Sequence, residues 1–217
     1  MNSVFTSLKS RPGVYWGQKG EDYHIHKHYF PTLRYGTFLE MGALDGVIYS
    51  NTKFFEDTMN WSGVLIEPIP SEFAKLKVNR PRCTVVNCAV STREGVVDMY
   101  SNQAVSSVKE NTSDDFYKTW HDYSNVKLIQ VPSRRLDTIL HAAGVKQIDF
   151  WSLDVEGSEL EALQTMDWSI PVKLICIEKQ LVKEQEDACT SILSNNGFIK
   201  TEEYEHNEIW VSHYFRR

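Results

Sequence analysis

The chain has 217 residues, of which 41% are hydrophobic, and its formal net charge at pH 7 is −6. This length and composition suit one globular domain with a substantial core. The negative charge disfavours a general nucleic-acid binder, and no run of eighteen apolar residues predicts a membrane span. The first residues do not predict a secretory signal. The four cysteines form no CxxC pair, so we expect reduced thiols in a cytoplasmic protein.

Five short apolar runs predict the strands of a parallel sheet. They lack polar alternation, which is typical of strands buried on both faces, and they cover residues 36–40, 63–67, 83–88, 148–154 and 172–178. Helical patterns lie between them. One of these patterns begins at Ser158, and Glu161 follows three residues later, as in a capping box. The alternation predicts a doubly wound, Rossmann-like α/β fold.

Three segments depart from this alternation. Two further strands are predicted at 94–100 and 126–131, and the polar stretch between them, 101–125, is predicted to be a lid or acceptor loop. The runs at 198–204 and 208–214 predict a C-terminal antiparallel hairpin. Residues 1–34 are predicted to form an N-terminal helical segment. We therefore expect a single domain over residues 1–217.

Acid or amide side chains stand at the carboxyl ends of the predicted strands, where open α/β sheets bind ligands. Carboxylates repel phosphate, and the third glycine of a dinucleotide-binding GxGxxG is missing. Glu67 lies roughly twenty residues after Gly46, where nucleotide-binding folds place the acid that accepts ribose hydroxyls. Ribose and a cationic centre without phosphate describe S-adenosylmethionine. A nicotinamide dinucleotide site, or no small-molecule site, is the alternative.

The same stretches resemble the FkbM-type methyltransferases of the class I S-adenosylmethionine-dependent group. The resemblance lies in QKGED (18–22), FLEMGALDG (38–46) followed by YSNT, WSGVLIEP (61–68), LDVEGSE (153–159) and NEIWV (207–211). It implies a methyl transfer from S-adenosylmethionine to a hydroxyl, which we interpret as one of a sugar or glycan, with S-adenosylhomocysteine as product.

The resemblance also implies which residues hold the cofactor. Glu40 and the turn after it would hold the methionine part, Glu67 the ribose, and residues 87–89 would lie near the adenine. The full predicted set is Gln18, Glu40, Gly42, Ala43, Asp45, Gly46, Ser50, Asn51, Thr52, Glu67, Pro68, Asn87, Cys88, Ala89 and Asp154. A simple helix N-cap is the alternative role for Ser50 or Asn51.

Methyl transfer to a hydroxyl requires a group that removes or weakens its proton. Asp154, Glu156 and Glu178 are candidates because they stand at strand ends, and His121 in the lid is another possible base. Two versions stay open. In one, Mg²⁺ or Mn²⁺ bound by Asp154 and Glu178 lowers the pKa of the hydroxyl; in the other, Glu156 acts directly as the base.

The remaining sequence patterns give less information about function. The lid aromatics Trp120, His121 and Tyr123 are predicted to form a wall against the acceptor. The histidines of HIHKH (24–28) would share one face only as a strand, and the helical pattern there disfavours zinc. The predicted partner is a small-molecule or glycan acceptor, without nucleic acid. A nicotinamide-dependent oxidoreductase and a non-catalytic interaction module are the alternative functions.

Overall fold

A computed structural model describes residues 14–121, 126–179 and 182–215. The strands of this part are β1 (Thr37–Met41), β2 (Ser62–Ile66), β3 (Thr84–Val86), β4 (Ala89–Val90), β5 (Gly95–Ser101), β6 (Ser107–Val108), β7 (Lys127–Arg134), β8 (Ile148–Leu153), β9 (Val172–Glu178), β10 (Phe198–Tyr204) and β11 (Asn207–Ser212). Its α-helices are α1 (Glu21–His28), α2 (Lys53–Met59), α3 (Pro70–Asn79), α4 (Asp114–Phe116), α5 (Leu136–Ala142), α6 (Glu159–Thr165) and α7 (Lys183–Asn195).

Seven strands form a large sheet in the order β10-β11-β9-β8-β1-β2-β3. The strands from β9 to β3 run parallel, and β11 lies antiparallel between β9 and β10. The predicted Rossmann-like α/β fold with a C-terminal antiparallel hairpin is therefore confirmed. Parallel strands bring their carboxyl ends to one edge, where the predicted site residues are expected to meet.

Apolar side chains cover both faces of this sheet, as the continuous runs predict. All six residues of β8 are buried. Neighbouring strand residues point to opposite faces. Leu39 and Trp151 accordingly pack in one cluster with α5, α6 and α7, whereas Phe38 and Phe150 pack in the other with α1 and α2.

A second, four-stranded sheet has the order β4-β7-β5-β6. Its two predicted strands are present as β5 and β7, which pair antiparallel along their length. Met99 and Val131 of this sheet pack against Ile69 and Ala89, which follow β2 and β3 in the chain. This contact places the small sheet beside the carboxyl ends of the large one.

The stretch predicted as a loop at 101–125 is more regular than expected. Its described part contains a 3₁₀ turn at Gln103–Val105, strand β6, a second 3₁₀ turn at Lys109–Asn111, helix α4 and a π-helical turn at Tyr117–His121. Polar composition concealed these short elements, because each is too short to show a hydrophobic period. Tyr123 lies outside the described residues.

The capping box predicted at Ser158 is wrong. Ser158 precedes α6, but its side chain makes no capping bond; instead its Oγ accepts a hydrogen bond from Asn111 Nδ2 at 2.8 Å. Glu159, rather than Glu161, reaches back and accepts from the backbone N–H groups of Val155 (2.8 Å) and Gly157 (3.1 Å).

Three further expectations can be placed on the structure. HIHKH lies in helix α1, so its three histidines do not share a face, and His24 Nε2 bonds to Glu202 Oε1 at 2.9 Å. The four cysteines are free. Within the described ranges, no helix has the length and apolar character needed to cross a membrane.

Candidate functional site

A cleft opens at the carboxyl ends of β1, β2, β8 and β9. Its walls enclose about 1030 Å³ of empty space, solvent at the mouth included. The lining residues come from the strand ends, the N-terminal segment, the 103–106 turn and the β10–β11 turn. Of the predicted site residues, those that line it are Gln18, Gly42, Asn51, Glu67, Pro68, Asp154, Glu156 and Glu178.

Gly42 brings the ends of β1 and β8 together. Its φ is +75°, and an added Cβ would lie 1.9 Å from the carbonyl oxygen of Asp154. Only glycine fits this approach. Gly46 also has a positive φ, but its absent Cβ leaves room for Leu76 and Arg80 behind the cleft. The two glycines of FLEMGALDG therefore serve different purposes, and only Gly42 lines the cleft.

Glu67 closes the end of β2 and faces the cleft. Its two oxygens accept hydrogen bonds from the backbone N–H groups of Leu44 (2.8 Å) and Ile69 (2.7 Å). Burial raises the pKa of this carboxyl to about 7, although both hydrogen bonds oppose the shift. Asn87 lies outside the lining and donates to the carbonyls of Glu67 and Pro68, which fixes this turn.

Glu40 lies behind the cleft rather than in its wall. Its carboxylate accepts hydrogen bonds from Ser50 Oγ (2.9 Å), Asn51 N (2.7 Å) and Thr52 Oγ1 (2.6 Å). Ser50 Oγ also accepts from the backbone N–H of Lys53, but the N-cap of α2 is Thr52, so neither Ser50 nor Asn51 holds the N-cap position considered for them. The polar side-chain atoms of Glu40, Ser50 and Thr52 bond to one another. Their contact with the cofactor therefore stays a prediction.

Asn51 differs from its neighbours because it reaches the cleft. Its Nδ2 donates to Ser152 Oγ at 3.0 Å, whereas its Oδ1 is buried without a hydrogen-bond partner. A buried acceptor without a donor costs stability.

The remaining predicted cofactor residues lie around the cleft without lining it. Asp45 Oδ1 accepts from the backbone N–H groups of Val47 and Ile48 and so shapes the turn. Ala43 is buried in the core. Cys88 and Ala89 line a small neighbouring cavity that shares Gly42 and Pro68 with the cleft.

Three carboxyl groups meet where β8 and β9 end. Burial, and then the negative charge of the neighbouring acids, raises the pKa of Glu156 to about 9 and that of Glu178 well above its ordinary range. The same causes raise the pKa of Asp154 to about 7. Asp154 is exposed to the open cleft, so water there screens part of this effect. The direct interaction between the Asp154 and Glu178 carboxyls opposes the rise in the pKa of Asp154 and adds to the rise in that of Glu178.

Glu159, which the sequence patterns did not single out for chemistry, joins this group. Asp154, Glu159 and Glu178 each offer an oxygen, and these oxygens lie within 4.8 Å of one another. Glu159 is buried at the start of α6, so three different elements supply the three carboxylates. Such an oxygen-only set is of the type that Mg²⁺ and Mn²⁺ prefer.

His121 is not among the residues that line the cleft. It is 1% exposed, its Nε2 lies 3.0 Å from Ser107 Oγ, and its ring contacts Tyr100, Phe116 and Tyr117. Burial lowers its pKa. These contacts place it in the core of the lid, which gives it no access to an acceptor in the cleft. Trp120 is 41% exposed and also lies outside the lining.

Several lining residues were not predicted. They are Glu21, Leu44, Ile48, Tyr49, Met99, the four residues 103–106, Val155, His206 and Asn207. Glu21 could have been found from its place in the Gln18–Glu21–Asp22 element, and Asn207 from the NEIWV stretch. Leu44 lies in the turn that was predicted to hold the methionine part, and residues 103–106 lie in the predicted lid or acceptor loop, so for these residues the segment was predicted but not the individual contact.

Solved structures of two methyltransferase-fold proteins are similar to this chain. The solved structure of fibrillarin from Aeropyrum pernix, with natively bound S-adenosyl-L-methionine, is similar with a TM-score of 0.50 and 10% identity over 88% of this chain and 72% of that chain. Precorrin-6y C5,15-methyltransferase from Geobacter metallireducens GS-15 has a TM-score of 0.44 and 12% identity over 92% and 89% of the two chains. At 10% identity, the similarity to fibrillarin shows a shared fold alone.

A search of the curated proteins finds no match. The family model of the methyltransferase FkbM domain, however, matches residues 40–210, which is most of the chain and includes all or part of every strand of the large sheet. The match begins at Glu40 and covers the cleft residues that follow the strand ends. The chain therefore belongs to the FkbM methyltransferase family.

Proposed function

We propose that the protein is an S-adenosylmethionine-dependent O-methyltransferase whose acceptor is a hydroxyl of an uncharged sugar or glycan. The observation that carries the proposal is the lining of the cleft. It includes the carboxylates of Glu21, Glu67, Asp154, Glu156 and Glu178, and among the described lining residues none is a lysine or an arginine. Family membership supports methyl transfer.

The residues present fit this cofactor. A ligand with amino and sulfonium cations and ribose hydroxyls, but no phosphate, suits a wall of carboxylates. Glu67 would accept the ribose hydroxyls, and Gly42 allows close approach of the backbone. When bound, this cofactor supplies an electrophilic methyl group.

The acceptor hydroxyl must lose its proton as its oxygen attacks, and the acids at the ends of β8 and β9 are placed to assist. In one version Glu156 takes the proton directly in its ionised form; because its pKa is raised to about 9, this version predicts turnover that rises with pH up to about 9. In the other, Asp154 and Glu178, joined by Glu159, hold Mg²⁺ or Mn²⁺, which would lower the pKa of the hydroxyl. The donor set fits such a cation, and both versions use the same part of the cleft.

The absence of cationic side chains in the described lining supports an uncharged acceptor. A phosphate or carboxylate on the acceptor would find no lysine or arginine among the described lining residues, whereas sugar hydroxyls can bond to the amides and hydroxyls of Gln18, Gln103, Ser106 and Asn207, which line the same cleft. Hydroxyl-rich acceptors without charge therefore suit this surface best.

Thermal denaturation with S-adenosylmethionine, S-adenosylhomocysteine and NAD tests the cofactor. A ligand present at a hundred times its Kd should add roughly 2.7 kcal/mol to the free energy of unfolding. A shift with the two methyl-cycle ligands alone is expected. A shift with NAD alone would favour the oxidoreductase alternative, and no shift with any of them at saturation would contradict the cofactor assignment.

Release of S-adenosylhomocysteine with a panel of neutral glycosides, uronic acids and sugar phosphates tests the acceptor. We expect turnover with neutral glycosides, and turnover confined to the anionic sugars would contradict the proposal. The same assay with EDTA separates the two proton-transfer versions. Loss of turnover that Mn²⁺ restores supports the metal version. Full activity of the wild type in EDTA, together with a loss of activity of roughly a hundredfold or more in Glu156→Gln, supports the direct-base version.

A further inference from the structure

Arg80 is a fully buried charge that the proposed chemistry does not use. It follows the last residue of α3 and has an exposed fraction of 0%. Its guanidinium donates to five groups: Glu56 Oε2, Gly46 O (3.1 Å), Ser50 Oγ (3.1 Å), Thr52 Oγ1 (3.0 Å) and Glu40 Oε2 (3.5 Å). An arginine buried this completely is retained only where its donors are satisfied.

Four of these five partners lie in one segment, residues 40–52. The same segment supplies one wall of the cleft through Gly42, Leu44, Ile48, Tyr49 and Asn51. The partners of Arg80 alternate with these wall residues along the chain. Arg80 therefore binds this wall on the side that faces away from the cleft, and it does not itself line the cleft.

The wall needs such support because its backbone is strained. Leu44 and Tyr49 have φ values of +48° and +61°, a conformation that side-chain-bearing residues adopt at a cost. Arg80 also packs against the glycine between them, since a Cβ on Gly46 would lie 2.7 Å from Arg80 Cγ. The guanidinium thus fixes a turn that would relax to other conformations without it.

The planar shape of the guanidinium is essential to this arrangement. Its Nη1 reaches Gly46 and Ser50 while Nη2 reaches Thr52. A lysine ammonium is a compact point charge and cannot span these acceptors while it also pairs with Glu56. Charge alone is therefore insufficient for the role.

We propose that Arg80 is a positioning residue for the methyl donor, which acts by holding residues 42–51 in the shape that binds it. The inference rests on the proposed function, because it assumes that the cleft binds S-adenosylmethionine. It assigns a binding role to a residue that lies behind the cleft and makes no contact with the ligand.

Arg80→Lys tests this inference, and Arg82→Lys is the matched control. Arg82 bonds to the same Glu56 through Nε at 3.2 Å, but its side chain is 54% exposed, and among the described residues its hydrogen bonds and ion pairs are with Glu56 and Asp57. The Kd of S-adenosylhomocysteine is measured by calorimetry, the folded fraction by urea denaturation, and the KM for S-adenosylmethionine separately from kcat.

We expect Arg80→Lys to raise the Kd and the KM tenfold or more in the folded protein, with kcat changed less, and Arg82→Lys to leave the Kd within twofold. A wild-type Kd in folded Arg80→Lys would overturn the inference alone. Failure of the wild type to bind would overturn it together with the proposed function. If Arg80→Lys does not fold, Thr52→Val, which removes one partner, should raise the Kd at least threefold, and an unchanged Kd would overturn the inference.

Discussion

The protonation of Glu67 should control the affinity for the methyl donor. Its pKa is raised to about 7 by burial, whereas ribose hydroxyls donate hydrogen bonds to the ionised form. Ligand binding therefore requires loss of the proton below pH 7. With a pKa of about 7, the ionised fraction rises roughly tenfold between pH 6 and pH 8, and the affinity should rise by the same factor.

The same shift predicts the pH dependence of stability, and its sign can be worked out. The carboxyl has a higher pKa when folded than when unfolded, where it is about 4.5, so the folded state binds more protons between these values. The free energy of unfolding therefore falls as pH rises from about 4.5 to 7. A shift of this size corresponds to about 3 kcal/mol for the group.

Glu67→Gln isolates both effects. At pH 8 the variant loses hydrogen bonds to a charged acceptor, each worth about 1.5–3 kcal/mol, so its Kd for S-adenosylhomocysteine should rise roughly tenfold to a hundredfold. At pH 6 the variant and the wild type should differ much less. Isothermal calorimetry at several pH values measures the Kd, and urea denaturation confirms folding.

Glu72→Gln is the control for this experiment. Glu72 is a nearby carboxylate that pairs with Lys75 and does not line the cleft. Its variant should keep a pH-dependent affinity, with the midpoint moved only slightly down, because the charge of Glu72 is the smallest of the causes that act on the pKa of Glu67. An equal pH slope in Glu67→Gln, or an unchanged affinity at pH 8, would refute the ribose assignment of Glu67.

Three further outcomes follow from the geometry. Gly42→Ala should lower the free energy of unfolding by more than about 2 kcal/mol in urea denaturation, because its Cβ would clash with Asp154 O. In the control Gly144→Ala, where φ is positive but the space is open, the free energy of unfolding should fall by only about 1 kcal/mol. His121→Phe should reduce thermal stability, because it removes the hydrogen bond to Ser107, while kcat stays within a few-fold; a hundredfold loss of kcat in the folded variant would restore His121 as a base candidate. Glu178→Gln should abolish Mn²⁺ binding measured by electron paramagnetic resonance if the metal version holds, and the direct-base version predicts no specific Mn²⁺ binding in the wild type.

The sheet could be predicted from the sequence because its signals are local. Each parallel strand is a continuous apolar run that ends in acid or amide, and neither feature depends on distant residues. Glu67, Asp154 and Glu178 were placed correctly at the cleft for this reason. The edge of a parallel sheet gathers its strand ends regardless of how the connecting segments fold.

The role of Glu40 could not be predicted in the same way. It also ends a strand in acid, but its donors Ser50 and Thr52 lie in the segment that precedes α2, and its donor Arg80 lies forty residues further along the chain. The sequence shows the acid but not what will surround it. The capping box at Ser158 failed for a related reason, since the hydroxyl of Ser158 accepts from Asn111, which lies 47 residues earlier in the chain.

Several residues that line the cleft have a strained backbone conformation. Leu44, Tyr49, Gln103 and Glu156 line the cleft, and all four have positive φ values between 48° and 61°. Each costs of order 1 kcal/mol or more and persists only when surrounding contacts impose it. They lie on three separate segments, so chance placement in one irregular loop does not account for them.

The contacts that impose this strain are the acid networks themselves. Glu67 fixes Leu44 through its backbone N–H, and Glu159 fixes the residues on either side of Glu156. The carboxylates at the strand ends therefore shape the loops as well as face the ligand. A ligand that neutralises them must leave these hydrogen bonds intact, which favours one that binds the ionised acids as a cation or hydroxyl donor over one that displaces them from the loops.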